Sequence, residues 1–271
     1  MVLAMPAPYR KASRYALLWI AVIFAGIGVS ILIASQVDGE KLGAWMMLVF
    51  AVPIILSMVV AAVINHRLDK KRIEGLRQLF ERRGITMDTN PDAAQRDQFY
   101  QPISFLTEWM GLQAGAANIQ WLAASKQFGV FEHLFVTGSG KHVQEHLETV
   151  VVVPSPYRTE GGLTARRAGF SMKRAWRKTE ARFEIGVPEF DRDWVLSGNP
   201  ILAEWFLIPQ VREILADAPR GEAWVLGNNY LCLSFDGVLQ PDSMEAVLDR
   251  TKRVAETIEK FVPFEAAKVA F

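Results

Sequence analysis

The chain of 271 residues has a single cysteine, Cys232, so an intrachain disulfide is excluded. A chain without disulfides suits a reducing compartment such as the cytoplasm. Cys232 lies in the apolar run 230–235, and no neighbour in the sequence would activate its thiol. We therefore expect a buried, inert cysteine.

The motifs of common enzyme classes are also missing. The sequence has no complete phosphate-binding loop, no Gly-x-Gly-x-x-Gly turn, no Gly-x-Ser-x-Gly elbow and no Cys-x-x-Cys pair. Residues 138–141 (GSGK) share only the end of a phosphate loop, because the upstream glycine is absent. The sequence predicts no catalytic residue and no cofactor.

An excess of charge of either sign is lacking as well. Residues 66–271 carry 26 Lys and Arg against 27 Asp and Glu, and the whole chain has a net charge of +1. A nucleic-acid-binding domain usually presents a strongly basic surface. Near neutrality therefore argues against nucleic acid as a partner.

What the sequence does contain is two uncharged apolar runs, residues 15–35 and 44–64, separated by the polar turn 36–43. As a helix, a run of this length reaches about 31 Å, the thickness of the hydrocarbon core of a bilayer. Buried core helices are an alternative, but helices of this length in soluble proteins normally carry a polar stripe. A cleaved signal peptide would have a shorter apolar part and a cleavage site. The sequence predicts a transmembrane helical hairpin.

Basic residues at the ends of the runs predict the orientation of this hairpin. They resist translocation, so they mark the cytoplasmic side. Arg10, Lys11 and Arg14 precede the first run, Arg67, Lys70, Lys71 and Arg72 follow the second, and the turn has only Lys41. Both termini are predicted to be cytoplasmic.

Small residues on the first run are spaced for close helix packing. They are Ala21, Ala25, Gly26, Ser30 and Ala34. This stripe would pack the first helix on the second, or would associate two copies of the chain into a homo-oligomer. Neither run contains Asp, Glu, Lys, Arg or His, which argues against an ion or proton path.

The predicted fold class is a membrane-anchored α+β protein, in which the hairpin precedes a soluble domain with antiparallel β-hairpins and a long C-terminal helix. The predicted divisions are a basic N-terminus (1–14), the hairpin (15–65) and a cytoplasmic domain (66–271) that begins with a helical stalk (66–84). Periodicity and turn residues predict strands at 119–124, 128–137, 142–153, 163–168, 182–187, 222–226 and 230–235. Predicted helices cover 66–83, 92–99, 102–110, 170–179, 200–215 with a break at Pro209, and 241–261.

Four features in the second half of the chain carry a resemblance. They are Phe190-Asp191, the run 195–198 (VLSG), the segment 209–212 (PQVR) and the strand 231–233 (LCL) before a terminal helix. In pattern and order, residues 116–261 resemble an uncharacterised bacterial membrane-protein family with an N-terminal membrane hairpin and a cytoplasmic α+β domain of unknown function. The resemblance implies the fold and a location in a bacterial inner membrane, and it implies no activity.

Histidines in the predicted hairpin 128–153 form a candidate metal site. If residues 138–141 make the turn, His133 faces His146 and Thr137 faces His142. Alternation then places His133, His146 and Glu148 on one face, where they could bind zinc. The alternative is an exposed polar face on a half-buried sheet, with Leu134, Val136, Val143 and Leu147 pointing inward.

A basic run with interleaved aromatic residues forms a candidate lipid surface. Its members are Arg166, Arg167, Lys173, Arg174, Trp176, Arg177 and Lys178. On a membrane-anchored domain these residues could rest on anionic lipid. The alternative is a solvated face without a ligand.

The function predicted from these features is a noncatalytic binding or scaffold module held at the cytoplasmic face of the membrane. Its expected partners are the lipid bilayer and another protein. One alternative is a membrane-tethered, metal-dependent hydrolase that uses the histidine-rich face. Another is an oligomeric transport accessory subunit that associates through the small-residue stripe.

Overall fold

The computed structural model describes residues 42–100, 119–125, 128–137, 144–155, 161–167, 182–219, 221–227 and 229–262. The chain divides into two compact units, Met1–Gly75 and Leu76–Phe271. The predicted first membrane run with its small-residue stripe lies outside the described residues, as do the predicted helices 102–110 and 170–179.

The helix α1 (Leu42–Arg82) continues without a break from the second apolar run into the predicted helix 66–83. It ends at Arg82, two residues before the predicted stop Gly84, whose φ of +67° is unfavourable for other residues. The N–H of Gly84 donates to the carbonyl of Glu81, and the N–H of Ile85 donates to that of Phe80, which caps the last turn. Among the residues that the structure describes, no helix is both long and apolar enough to cross a membrane.

The described part of the second unit contains one nine-stranded sheet in which every neighbouring pair is antiparallel. The strands are β1 (Thr86–Asp88), β2 (Ile119–Ala124), β3 (Gly129–Thr137), β4 (Gln144–Pro154), β5 (Gly162–Arg167), β6 (Arg182–Phe183), β7 (Trp194–Gly198), β8 (Glu222–Gly227) and β9 (Tyr230–Asp236). Their order across the sheet is β1-β2-β3-β4-β9-β8-β5-β7-β6. The α+β class with an antiparallel sheet is therefore confirmed.

Strand β6 is shorter than the predicted strand 182–187, and the reason is a competing hydrogen-bond acceptor. The carboxylate of Asp191 accepts the backbone N–H groups of Ile185 and Val187, at 3.1 and 2.8 Å. These N–H groups are then unavailable to a neighbouring strand. Gly186 between them has a φ of +77°, which also breaks the extended backbone.

Five further helices are described: α2 (Ala93–Tyr100), α3 (Pro188–Asp193), α4 (Pro200–Phe206), α5 (Pro209–Ala216) and α6 (Pro241–Phe261). The start of α2 is a reciprocal capping box between Asp92 and Gln95. Asn199 caps α4 by accepting the N–H of Ile201 at 2.9 Å. Pro209 separates α4 from α5, and Pro241 opens the long C-terminal helix, as predicted.

Both faces of the sheet are buried. The helix-side face carries Trp121, Val151, Leu233, Trp224 and Ala165, and α4, α6 and the end of α1 pack on it. Ring centroids are 5.7 Å apart between Phe80 and Trp121 and 6.3 Å apart between Phe206 and Trp224. The opposite face carries Phe131, Val150, Cys232, Val225 and Thr164, which are buried as well. Burial of both faces explains why β4 and β9 have consecutive apolar residues instead of alternation.

A substitution of Leu233 tests how much the core on the helix-side face contributes to the free energy of unfolding. Its side chain is fully buried, and it is paired across strands with Val151 and Trp224. We expect Leu233→Ala to lower the free energy of unfolding by about 2–5 kcal/mol, because it removes buried methyl groups and leaves a cavity. The measurement is denaturant unfolding of the full chain in detergent micelles.

The matched control is Ile201→Ala, since Ile201 is 47% exposed. Ile201→Ala should lower the free energy of unfolding by no more than about 0.5 kcal/mol. Equal losses for the two variants would contradict the assignment of Leu233 to the core.

Candidate functional site

A buried ion pair joins the sheet to the C-terminal helix. Glu222 is the first residue of β8 and is 0% exposed, and its Oε1 lies 2.8 Å from Nη2 of Arg250 on α6. Arg250 lies between Val247 and Val254, beside the apolar stripe with which α6 covers the sheet. The pair therefore sits within the packed layer between helix and strand.

Burial raises the pKa of the Glu222 carboxyl to about 7, because desolvation disfavours the charged form. Arg250, the indole of Trp224 and Arg167 each act in the opposite direction on this pKa. Arg167, at the end of β5, lies 4.0 Å from Asp193. The four charged side chains Asp193, Arg167, Glu222 and Arg250 thus form a group of alternating sign.

A second pair of contacts holds α6 from its other side. Arg83, just after α1, donates to Oδ1 of Asp249 at 2.7 Å and to Oε1 of Glu245 at 3.2 Å. The hydrogen bond to Asp249 is the main cause that raises the pKa of Arg83 above its ordinary value. Both carboxylates are exposed, so solvent screens these contacts and each stabilises the fold only modestly.

The predicted pairing of His133 with His146 is wrong. His133 lies opposite Glu148, and His146 lies opposite Phe135, a shift of two residues. Thr137 is opposite Gln144, whereas the prediction placed it opposite His142. Because the shift is even, His133 and Glu148 remain on one face as predicted.

The alternative prediction of an exposed polar face is also wrong. His133 and Glu148 are both 0% exposed, while Leu134 and Leu147 are half-buried. The prediction assumed that one face of the hairpin meets water, whereas both faces of the sheet are covered. His133 and Glu148 are brought together across β3 and β4, at the usual Cβ separation of about 5 Å for opposed residues.

The zinc site stays a prediction. The side chain of His146 and the whole of His142 lie outside the described residues. Among the side chains that are described, no three of His, Cys, Asp and Glu are grouped so that they could hold a metal ion. Cys232 is buried and free, and burial raises the pKa of its thiol well above the usual value, as expected for an inert cysteine.

The candidate lipid surface is described only at its start. Arg166 and Arg167 are half-buried, and Arg167 faces Asp193. Lys173, Arg174, Trp176, Arg177 and Lys178 lie outside the described residues. Lipid binding by this run stays a prediction.

Sequence reasoning missed the Glu222–Arg250 pair, although each partner leaves a local signal. Glu222 begins the strand 222–227, in which every described side chain is buried. Arg250 lies three residues after Val247 and four before Val254, so it falls on the apolar side of α6. An acid in an apolar strand and a base on an apolar helix face could have suggested a buried pair.

Comparisons with known proteins add little to this geometry. No family model matches the chain, and no curated protein matches it. Among solved structures, the crystal structure of the mycobacterial trehalose monomycolate transport factor A, TtfA, is similar at 11% sequence identity and a TM-score of 0.43. That match covers 70% of this chain and 95% of the other. A likeness at this level assigns no function.

The buried carboxyl of Glu222 should make stability depend on pH. Its pKa is raised from 4.5 to about 7 by folding, so between these values the folded state holds a proton that the unfolded state has lost. The free energy of unfolding should therefore fall as pH rises through this window, by about 3 kcal/mol in total. Denaturant unfolding of the full chain at pH 5 and pH 8 measures the difference.

Glu222→Gln should remove most of this dependence, because the amide does not titrate. Glu245→Gln is the control, since Glu245 is exposed on α6. It should keep the wild-type dependence on pH. An unchanged dependence in Glu222→Gln would rule out Glu222 as its source.

Removal of Arg250 should destabilise the fold most where Glu222 is ionised. Arg250→Met keeps the apolar stem but leaves a buried carboxylate without its cation, at a cost of about 3–5 kcal/mol at pH 8. At pH 5, where Glu222 is neutral, the cost should be smaller. The double variant Glu222→Gln with Arg250→Met should recover most of the loss at pH 8.

The control for Arg250→Met is Arg253→Met, at an exposed position of α6. Its effect should be within about 0.5 kcal/mol at either pH. A loss at pH 5 as large as that at pH 8 would show that Arg250 acts through packing and not through its charge.

Proposed function

We propose that the protein is a noncatalytic binding or scaffold module that a helical hairpin anchors in a bacterial inner membrane. The observation that carries the proposal is an exposed apolar surface on α1. Ile55, Val59, Val60 and Val63 are between 43% and 60% exposed. Contiguous apolar surface of this kind marks contact with a membrane or a partner.

The surroundings of this surface favour lipid as its main contact. It belongs to the uncharged run 44–64, whose backbone is helical and satisfies its own hydrogen bonds, as lipid requires. Exposed charged and polar residues begin directly afterwards, at His66, Arg67 and Asp69. An abrupt change from apolar to charged exposure is expected where a helix leaves the hydrocarbon layer.

The proposed arrangement has two crossings, residues 15–35 and 44–64, with residues 66–271 in the cytoplasm. The first run lies outside the described residues, as do most side chains of the second, and no described helix is long and apolar enough to span a bilayer, so both crossings rest on the sequence alone. The basic flanks support cytoplasmic termini. The small-residue stripe of the first run supports packing of the two helices or a homo-oligomer.

The noncatalytic part of the proposal is supported by the location of the polar groups in the domain. Glu222, His133 and Glu148 are each 0% exposed, so a substrate in solution does not reach them. The Glu222–Arg250 pair links a strand to a helix and acts in stability. The domain would therefore act by binding another protein beside the bilayer.

The proposed hairpin anchor leads to two predictions, one on retention of the chain in the membrane and one on which side of the membrane each segment faces. The full chain should stay in the membrane pellet after alkaline carbonate extraction, because two apolar helices do not leave lipid at high pH. A membrane-impermeant maleimide should label Gly39→Cys in intact spheroplasts, since residue 39 lies in the turn between the runs. It should label Lys252→Cys, at an exposed position of α6, only after permeabilisation.

Both labelling variants carry Cys232→Ser, so that the introduced thiol is the only one. Release of the chain by carbonate would overturn the anchor. Labelling of Lys252→Cys in intact spheroplasts would overturn the proposed orientation while leaving the anchor in place.

A further inference from the structure

We infer that three exposed basic residues of α1, Arg67, Lys70 and Lys71, form a binding surface for the headgroups of anionic phospholipids. This inference rests on the proposed function, and it adds a lipid class to the membrane anchor. All the residues involved belong to the first unit, Met1–Gly75. The surface is called the basic step below.

The basic step continues one line of side chains along the helix. A step of four residues turns about 40° around the helix, so Val63 and Arg67 are neighbours, and Lys70 and Lys71 follow Arg67 about one turn later. The exposed surface therefore changes from apolar to basic along this row of neighbouring side chains. A ligand that covers this face must be apolar at one end and anionic at the other, as a phospholipid is.

The distances match the headgroup layer. At about 1.5 Å per residue, Arg67 lies about 6 Å beyond Val63 along the axis, and Lys71 lies about 12 Å beyond it. The polar layer adds about 5–8 Å on each side of the hydrocarbon core. Helical side chains tilt toward the N-terminus, which is toward the apolar part of α1, so the lysines can reach back into this layer.

Arg72 is chemically distinct from its basic neighbours. It is 8% exposed, and its Nε and Nη2 donate to Oδ1 of Asp69 at 3.1 and 2.8 Å. Asp69 is the acid nearest to the basic step in sequence, and Arg72 already engages its carboxylate. Glu74 is also exposed, but it lies about one turn farther from the apolar run than Lys70. The exposed charge nearest to the apolar surface is therefore mainly that of Arg67, Lys70 and Lys71.

The three basic residues should each add to the attraction for anionic headgroups, and each should act only over a short distance. A basic residue near an anionic membrane surface strengthens binding on the order of fivefold at modest salt. The effect falls off within about 10 Å, so basic residues farther along α1 contribute little. Three charges in the headgroup layer are then sufficient for a clear preference for anionic over zwitterionic lipid.

The experiment uses the full chain reconstituted into symmetric vesicles, which makes the result independent of orientation. Spin-labelled phosphatidylglycerol or spin-labelled phosphatidylcholine is present in trace amounts, and the motionally restricted fraction reports the lipid in contact with the protein. The wild-type chain should prefer phosphatidylglycerol. The triple variant Arg67→Gln, Lys70→Gln, Lys71→Gln should reduce that preference on the order of fivefold or more.

The matched control removes three exposed basic residues from the second unit, as Arg82→Gln, Lys252→Gln and Arg253→Gln. It changes the net charge equally and should keep the wild-type preference. A second set of vesicles in 0.5 M salt should weaken the wild-type preference, since exposed charges are screened.

Flotation of the vesicles on a density gradient separates the two proposals. If the wild-type chain floats but shows no preference for phosphatidylglycerol, the basic step is overturned and the anchor stands. An equal loss of preference in the control variant overturns the basic step in the same way. If the wild-type chain does not float, the anchor fails and the inference fails with it.

Discussion

The ion pair between Glu222 of β8 and Arg250 of α6 attaches the C-terminal helix to the sheet. The helix-side face of the sheet depends on this helix for its burial. Moving two charges out of water is costly, and their attraction repays that cost only while both remain in place. The helix α6 brings Val247 and Val254 onto the sheet around this contact. Arg83 binds the exposed side of the same helix, so α6 is held between the strand β8 and the end of α1. Because the carboxyl has a pKa of about 7, the strength of this attachment changes near neutral pH.

Local signals in the sequence were sufficient for much of the fold. The cap at Asn199, the break at Pro209 and the stop at Gly84 follow from the chemistry of single residues, and β2 has the predicted bounds. Strand pairing depends on parts of the chain that are distant from one another. The observed register of β3 with β4 differs by two residues from the predicted one. Each side chain therefore stays on its predicted face, but His133 is opposite Glu148 instead of His146.

Burial was harder to predict than secondary structure. An alternating strand is usually half-exposed, and this expectation placed His133 and Glu148 in water, whereas they lie inside a sheet covered on both faces. The Glu222–Arg250 pair was missed because its partners are separated along the chain and meet only after α6 folds onto β8. The same limit applies to function. The sequence shows the apolar run that contains Ile55 and Val63. It does not show that these two side chains are exposed on the helix surface, which is the observation that supports contact with lipid.

The two edges of the sheet have a consequence for assembly. The outermost strands are also its shortest, β1 with three residues and β6 with two. An edge strand offers its free N–H and C=O groups to other chains, and a very short one offers too few for stable intermolecular pairing. In the part of the chain that the structure describes, the nine-stranded sheet is thus protected against uncontrolled growth into fibrils. Copies of this chain that associate would do so through helices or side chains, and not by extending the sheet.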